Sequence, residues 1–289
     1  MGRALPAWLL AVVACSTPVE PAAPVYASAP PEGMIRPLTL GVHPLHNPRR
    51  LERLFGPVAD ALSQCLGQPV RLEASRGYAA FEKKLSAGEF DFAMPNPYQA
   101  VRARDEYRVF AKQADDSLFR GVLLARKGEP PLTLTDLKDR RIAFPAPTAL
   151  AAAMMPQLLL ARAGLQPGRD YQPVYVGSQE SAIAAVLQKS VDVAATWPVP
   201  WAQFQSEQPA QAATLEVRWS TPILINNAFV ARRTLADDLV TRARDCLLAY
   251  SPDDPTIERA QVTFEAANDA QYDVVELVVR VLERLVTQP

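Results

Sequence analysis

Metal-binding residues are scarce in this sequence. It carries two histidines, His43 and His46, and three cysteines, with no C-x-x-C and no H-x-x-x-H spacing. That is a poor ligand set for zinc or iron–sulfur chemistry, so no metal and no cofactor is expected. Net charge is missing as well. Thirty Lys and Arg stand against 31 Asp and Glu, a formal −1. So even a balance lacks the basic field that holds nucleic acid, and none is expected as a partner. Long apolar runs are absent too: none reaches the roughly eighteen residues that span a bilayer. Nor is there a G-x-S-x-G elbow, because "GSQES" has Gln179 at its centre. No catalytic residue is assigned and no enzyme is expected.

What the N-terminus does have is a short targeting pattern. Arg3 precedes ten apolar residues, Leu5 to Ala14, about the length of a signal-peptide core. The run ends in Val12-Val13-Ala14-Cys15, small residues followed by a cysteine. This is similar to a bacterial lipobox, in which the cysteine thiol takes the lipid and becomes the new N-terminus. Removal of 1–14 and lipidation of Cys15 are expected. Ser16 leans the anchored protein towards an outer membrane in a Gram-negative host. Residues 16–37 then hold six prolines and no hydrophobic period, a semi-extended tether of about 3 Å per residue. The later cysteines, Cys65 and Cys246, lie on amphipathic helical patterns. An exported protein can pair them, but the pattern favours two buried thiols.

From residue 38 strand and helix alternate. Strands are expected at 38–42, 69–74 and 90–94, with helices at 47–66, 77–88 and 96–105 between and after them. Asn47-Pro48 and Asn96-Pro97 each supply a capping side chain and a residue suited to the first helical position. Strands at 108–113 and 119–127 follow. A second series has strands at 141–144, 173–176 and 191–196 and helices at 148–163, 179–189 and about 198–206. Strands at 215–220 and 228–233 come next, and the chain reads as helical from 234 onwards. Two βα series predict two α/β lobes with mostly parallel sheets flanked by helices.

Parallel sheets place ligands where strands end and helices begin. Two such ends are unusual here, "AMPNPYQA" and "AFPAPTAL". Asn96 and Thr148 read as caps whose helix amides can meet an anion or a carbonyl oxygen. Tyr98 adds an aromatic face and a hydroxyl. His43, just after the first strand, can reach the same cleft.

Beyond these signals, the chain resembles the phosphonate/phosphite/phosphate-type periplasmic solute-binding proteins of ABC importers. The resemblance runs over about 38–280. It rests on "LGVHPLHNPRRLERLFGPVADALSQCLGQPVRL", "GYAAFEKKLSAGEFDFAMPNPYQA", "LTLTDLKDRRIAF", "GSQESAIAAVLQKSVDVAAT" and "NDAQYDVVELV". It implies the two-lobed type II periplasmic-binding-protein fold with an interlobe cleft, lobe I at 38–118 plus 225–289 and lobe II at 119–224. It also implies a departure in the site. The family's Ser-Thr-Ser turn, whose hydroxyls and amides hold phosphonate oxygens, is matched by Pro147, Thr148 and Ala149. Gln179 stands where a histidine is common, and Phe119 where a tyrosine is. The acidic residues that hold an amine are matched by Val199 and Asn227. Tyr78 is kept, and Trp197 and Trp201 lie near.

The function implied is a monomeric, lipid-anchored solute-binding protein. It faces the periplasm, captures a small oxyanion or organic molecule between its lobes, and passes it to an ABC permease. The alternative is a sensor or accessory lipoprotein that uses the fold to signal to a membrane partner.

Overall fold

The computed structural model describes residues 36–131, 133–253 and 259–287. The expected leader, Cys15 and nearly all of the tether lie outside these residues. Among the described residues, no helix is long and apolar enough to cross a membrane.

Strands β1 (Leu38–Val42), β2 (Val70–Ala74), β3 (Phe92–Met94) and β4 (Tyr107–Gln113) come first. The chain then crosses into β5 (Val122–Arg126), β6 (Arg141–Phe144), β7 (Gln172–Tyr175), β8 (Val193–Thr196) and β9 (Leu215–Ser220). It returns as β10 (Ala228–Arg232) and β11 (Phe264–Ala266). One sheet has the order β11-β4-β10-β3-β1-β2 and the other β7-β6-β8-β5-β9. Helices α1 (Pro48–Leu66), α2 (Tyr78–Ser86) and α3 (Pro97–Arg102) belong to the first series. The second has α4 (Met155–Arg162), α5 (Gln179–Leu187), α6 (Pro198–Glu207) and α7 (Pro209–Ala212). Helices α8 (Asp237–Ala249) and α9 (Asp273–Thr287) close the chain.

The local reasons match the sequence signals. Asn47 caps α1 by accepting from the Arg50 amide, Pro48 occupies the first turn, and Gly67 ends the helix at φ 68°. Leu51, Leu54, Phe55, Val58 and Leu62 are buried, one face of the helix against the sheet.

Three expectations are corrected. The sheets are mixed rather than mostly parallel: β1–β2, β1–β3, β6–β7 and β6–β8 are parallel, while β10 and β5 run against both their neighbours. Crossing explains this. Strands β3 and β8 run towards the cleft, so a strand that enters from the other lobe starts at the cleft and must run away from it. The C-terminal region is not helical throughout. Pro252 follows α8, and β11 pairs antiparallel with β4, burying Phe264 beside Phe229. Finally, Cys65 and Cys246 form a disulfide rather than two buried thiols. Helices α1 and α8 pack together, and the two Cα atoms are 6.2 Å apart, within bonding reach. Cys65 is exposed, because it lies on the flank of α1 and not on its buried stripe.

Candidate functional site

The ends of β1, β3, β6 and β8 point at one another across the gap between the sheets, and the residues after them build a common cavity. From the first lobe, His43 follows β1, with its amide donating to the Met94 carbonyl at 3.1 Å. Asn96 follows β3, Tyr78 opens α2, and Asn227 precedes β10. All four line the cavity. From the second lobe come Phe119 in the crossing segment, Ala149 after β6, Gln179 at the start of α5 and Trp197 after β8. The sequence reading named these eight positions. The walls close so tightly that the cavity measures about 10 Å³, room for about one water molecule. In this arrangement there is no room for a solute larger than that.

Two expected residues are elsewhere. Tyr98 lines a separate groove between α2 and α3, beside Glu82, Leu85 and Arg102. As the second residue of α3 it faces sideways, while the preceding cap residue Asn96 faces the cleft. Thr148 is also absent from the cavity lining. It meets the other lobe through its backbone: its carbonyl accepts from Asn96 Nδ2 at 3.0 Å.

Leu150, the far end of the helix start expected at Thr148–Leu150, does line the cavity, and two further lining residues, Ala151 and Ala152, were missed. Leu150–Met154 is a π-helical turn leading into α4. Its first intrahelical bond runs from Ala153 N to Ala149 O at 2.7 Å, and Met154 N reaches the same carbonyl at 3.2 Å. The amides of Leu150, Ala151 and Ala152 precede that bond, so they have no acceptor within the helix, and all three residues line the cavity. Pro156 explains the wide turn. It has no N–H to give, and its ring would strike the carbonyl four residues back in a regular α-helix. Pro156 was the available signal. The helix start thus lies beyond Thr148, and its cavity residues carry no hydroxyl at all.

Among the described residues, no charged side chain lines the cavity. Burial pushes the His43 imidazole down to about 3, and neighbouring His46 adds to that. The Asn227 carboxamide beside the ring works the other way, yet neither His43 nitrogen reaches hydrogen-bond geometry with a protein group. Burial raises Tyr78, which stays a neutral hydroxyl next to Gln179. Gln179 is held by Thr196 Oγ1, which donates to its Oε1 at 2.8 Å. Asn227 Nδ2 donates to Gln113 Oε1 at 2.6 Å, which leaves Asn227 Oδ1 buried without a partner. At the rim, Arg50 of α1 pairs with Glu207 of α6 at 3.3 Å across the cleft.

Residues 40–273 match the family model for the periplasmic substrate-binding protein of phosphonate ABC transporters. The phosphonates-binding periplasmic protein of Escherichia coli strain K12 is 23% identical over 247 residues, 81% of this chain and 73% of that protein. A binding-protein component of an ABC phosphonate transporter from Pseudomonas aeruginosa superposes with a TM-score of 0.76 at 21% identity, covering 87% of this chain and 88% of that one. A Prochlorococcus marinus protein in complex with methylphosphonate gives 0.73 at 21% identity, over 85% and 98%. This chain belongs to the periplasmic substrate-binding proteins of phosphonate-type ABC transporters.

Proposed function

We propose that this importer subunit captures a small alkylphosphonate or related oxyanion in the cavity between its sheets. The observation that carries the reading is that the helix start at Leu150–Ala152, whose first-turn amides lack acceptors within the helix, lines a buried, uncharged cavity. Such a helix start offers donors and about half a positive charge to an anion. Tyr78 and Gln179 add neutral donors. Phe119 and Trp197, whose ring centroids are 6.0 Å apart, supply an apolar wall for a short alkyl group. No carboxylate is present to hold an amine, so 2-aminoalkylphosphonates are poor candidates. The cavity binds without covalent chemistry, and the lobes, 38–118 plus 225–289 against 119–224, close over the solute.

Titration calorimetry with methylphosphonate, phosphite, phosphate and 2-aminoethylphosphonate tests this. Saturable one-to-one binding of methylphosphonate or phosphite, with the amine compound weakest, is the expected result. No binding of any of the four removes the reading.

The same reading places the protein on a membrane as a monomer, anchored through lipidated Cys15. The short apolar run and the small residues before Cys15 support it. Cys15→Ala is expected to move the protein from the membrane fraction to the soluble one. A variant that stays membrane-bound rules the anchor out.

A further inference from the structure

The cavity has acceptors that no protein group satisfies, and this bears on what its solute must carry. A chain of hydrogen bonds fixes their polarity. The backbone carbonyl of Gln261 can only accept, and it takes a bond from Gln113 Nε2 at 2.5 Å. Gln113 therefore turns Oε1 to Asn227 and accepts from its Nδ2 at 2.6 Å. Asn227 is left presenting Oδ1, an oxygen that can only accept. His43, 4% exposed, is neutral, so one ring nitrogen is a donor and the other an acceptor. Whichever tautomer it adopts, even with its N–H turned to Asn227, at least one buried lone pair lacks a donor. Buried acceptors in that condition are costly unless the ligand supplies the hydrogen.

The opposite wall includes the start of the π-turn, Leu150, Ala151 and Ala152, whose first-turn amides have no acceptor within the helix and can serve as donors. A solute that fits both walls must have a bare oxygen on one side and an O–H on the other. Charge points the same way. With no cationic side chain in the cavity, desolvating a dianion costs about four times what a monoanion costs, since the Born penalty grows with the square of the charge.

We infer that the site selects its solute by protonation state: it holds a tetrahedral oxyanion as the singly protonated monoanion, with P–O⁻ on the Leu150–Ala152 amides and P–OH donating to the His43–Asn227 acceptors. This rests on the function proposed above. The titratable groups that face His43 are His46 from its own loop and Tyr78 from α2, and Glu82 and Glu180 bear on Tyr78. Burial holds both histidines near 3 and lifts Tyr78, so neither His43, His46 nor Tyr78 changes charge near neutral pH. A change of affinity there reports the ligand.

The test is calorimetry on the unmodified protein with methylphosphonate and methanesulfonate, across the second ionisation of methylphosphonate. Methylphosphonate affinity is expected to be level below that pKa and to fall about tenfold per pH unit above it. Methanesulfonate is a monoanion with no O–H, and is expected to bind at least about tenfold more weakly at every pH. A level methylphosphonate profile, or equal affinity for the sulfonate, overturns the inference and leaves the proposed function standing. Absence of methylphosphonate binding at every pH overturns the inference, and overturns the proposed function too if phosphite, phosphate and 2-aminoethylphosphonate also fail to bind. His43→Phe keeps a ring but removes the acceptor, and is expected to narrow the phosphonate–sulfonate ratio. An unchanged ratio in a folded variant assigns no role to His43.

Discussion

The carbonyl oxygen of Ala151 lies 2.4 Å from the point that a β-carbon on Gly121 would occupy, and Pro156 Cγ lies 2.8 Å from that point. The segment that crosses into the second lobe is thus packed directly on the π-turn that lines the cavity. Its amide donates to Thr221 Oγ1 at 2.8 Å and its carbonyl accepts from Thr221 N at 2.9 Å, so both crossings meet here. Glycine is required for closeness of approach. Gly121→Ala has no flexible side-chain end to push aside, only backbone and a proline ring. Overpacking of this kind costs about 1–3 kcal/mol. We expect a lower urea midpoint and, because the displaced backbone is that of Ala151, weaker methylphosphonate binding. A variant with unchanged stability and affinity means that the crossing segment shifts instead.

The Cys65–Cys246 bond joins two cysteines 181 residues apart in sequence. Closing so long a loop in the unfolded chain contributes up to about 5 kcal/mol in the chain-entropy treatment. Both helices pack on the β11-β4-β10-β3-β1-β2 sheet, and neither cysteine lines the cavity. Reduction, or Cys65→Ser, is therefore expected to lower the urea midpoint sharply while leaving the solute affinity of the folded protein unchanged. Urea unfolding with and without dithiothreitol, paired with calorimetry, separates the two effects.

Much of this arrangement was legible because its causes are local. Asn47-Pro48 and Asn96-Pro97 announce helix starts within four residues of sequence. The alternation of β1, α1 and β2 follows from side-chain period alone. Strand ends pointed to His43 and Asn96, whereas Tyr78, Phe119, Ala149, Gln179, Trp197 and Asn227 were named through the family resemblance. What escaped the sequence depends on distant partners. The start of the π-turn is set by Pro156, eight residues beyond the expected cap Thr148. The cysteine pairing needs α1 to pack on α8. The polarity of Asn227 is decided by Gln113 and Gln261, 114 and 34 residues away in the chain. The short strand β11 exists only because β4 offers it an edge.

His43 and His46 give a stability profile with a definite sign. Burial is the main cause in both, and each is lowered from 6.5 to about 3. His46 nevertheless keeps a partner, with Nε2 2.7 Å from Gln261 Oε1. Since the folded pKa lies below the unfolded one, the unfolded chain takes up protons first as pH falls. Their contribution is fully present above about 6.5 and is lost progressively between about 6.5 and 3, at about 1.4 kcal/mol per pH unit for each ring. Urea unfolding at a series of pH values in that window should show this steep loss. His46→Gln should flatten it by about one ring's share. An equally steep profile in that variant assigns the acid sensitivity to carboxylates.

Ala149 offers the most direct test of the cavity as an oxyanion site. It is the cap of the π-turn, with φ −74° and ψ 93°, and it makes no side-chain cap. It is buried and lines the cavity, whereas Pro147 is exposed and does not. A serine at 149 adds one hydroxyl. Its oxygen can accept from a first-turn amide, which stabilises a helix start by about 1 kcal/mol. Its hydrogen can donate to a ligand oxygen, and a bond to a charged group contributes about 1.5–3 kcal/mol, tenfold or more in affinity. Ala149→Ser is therefore expected to raise both the thermal midpoint and the affinity for methylphosphonate. Pro147→Ser should change neither affinity nor ligand preference, because its hydroxyl would face solvent. Ala149→Val adds bulk without a donor to a cavity of about 10 Å³, and is expected to abolish binding. The discriminating outcome is a serine variant that melts higher yet binds no better. In that case the hydroxyl serves the turn alone, and the solute is held by the aromatic wall of Phe119 and Trp197 rather than by the helix start.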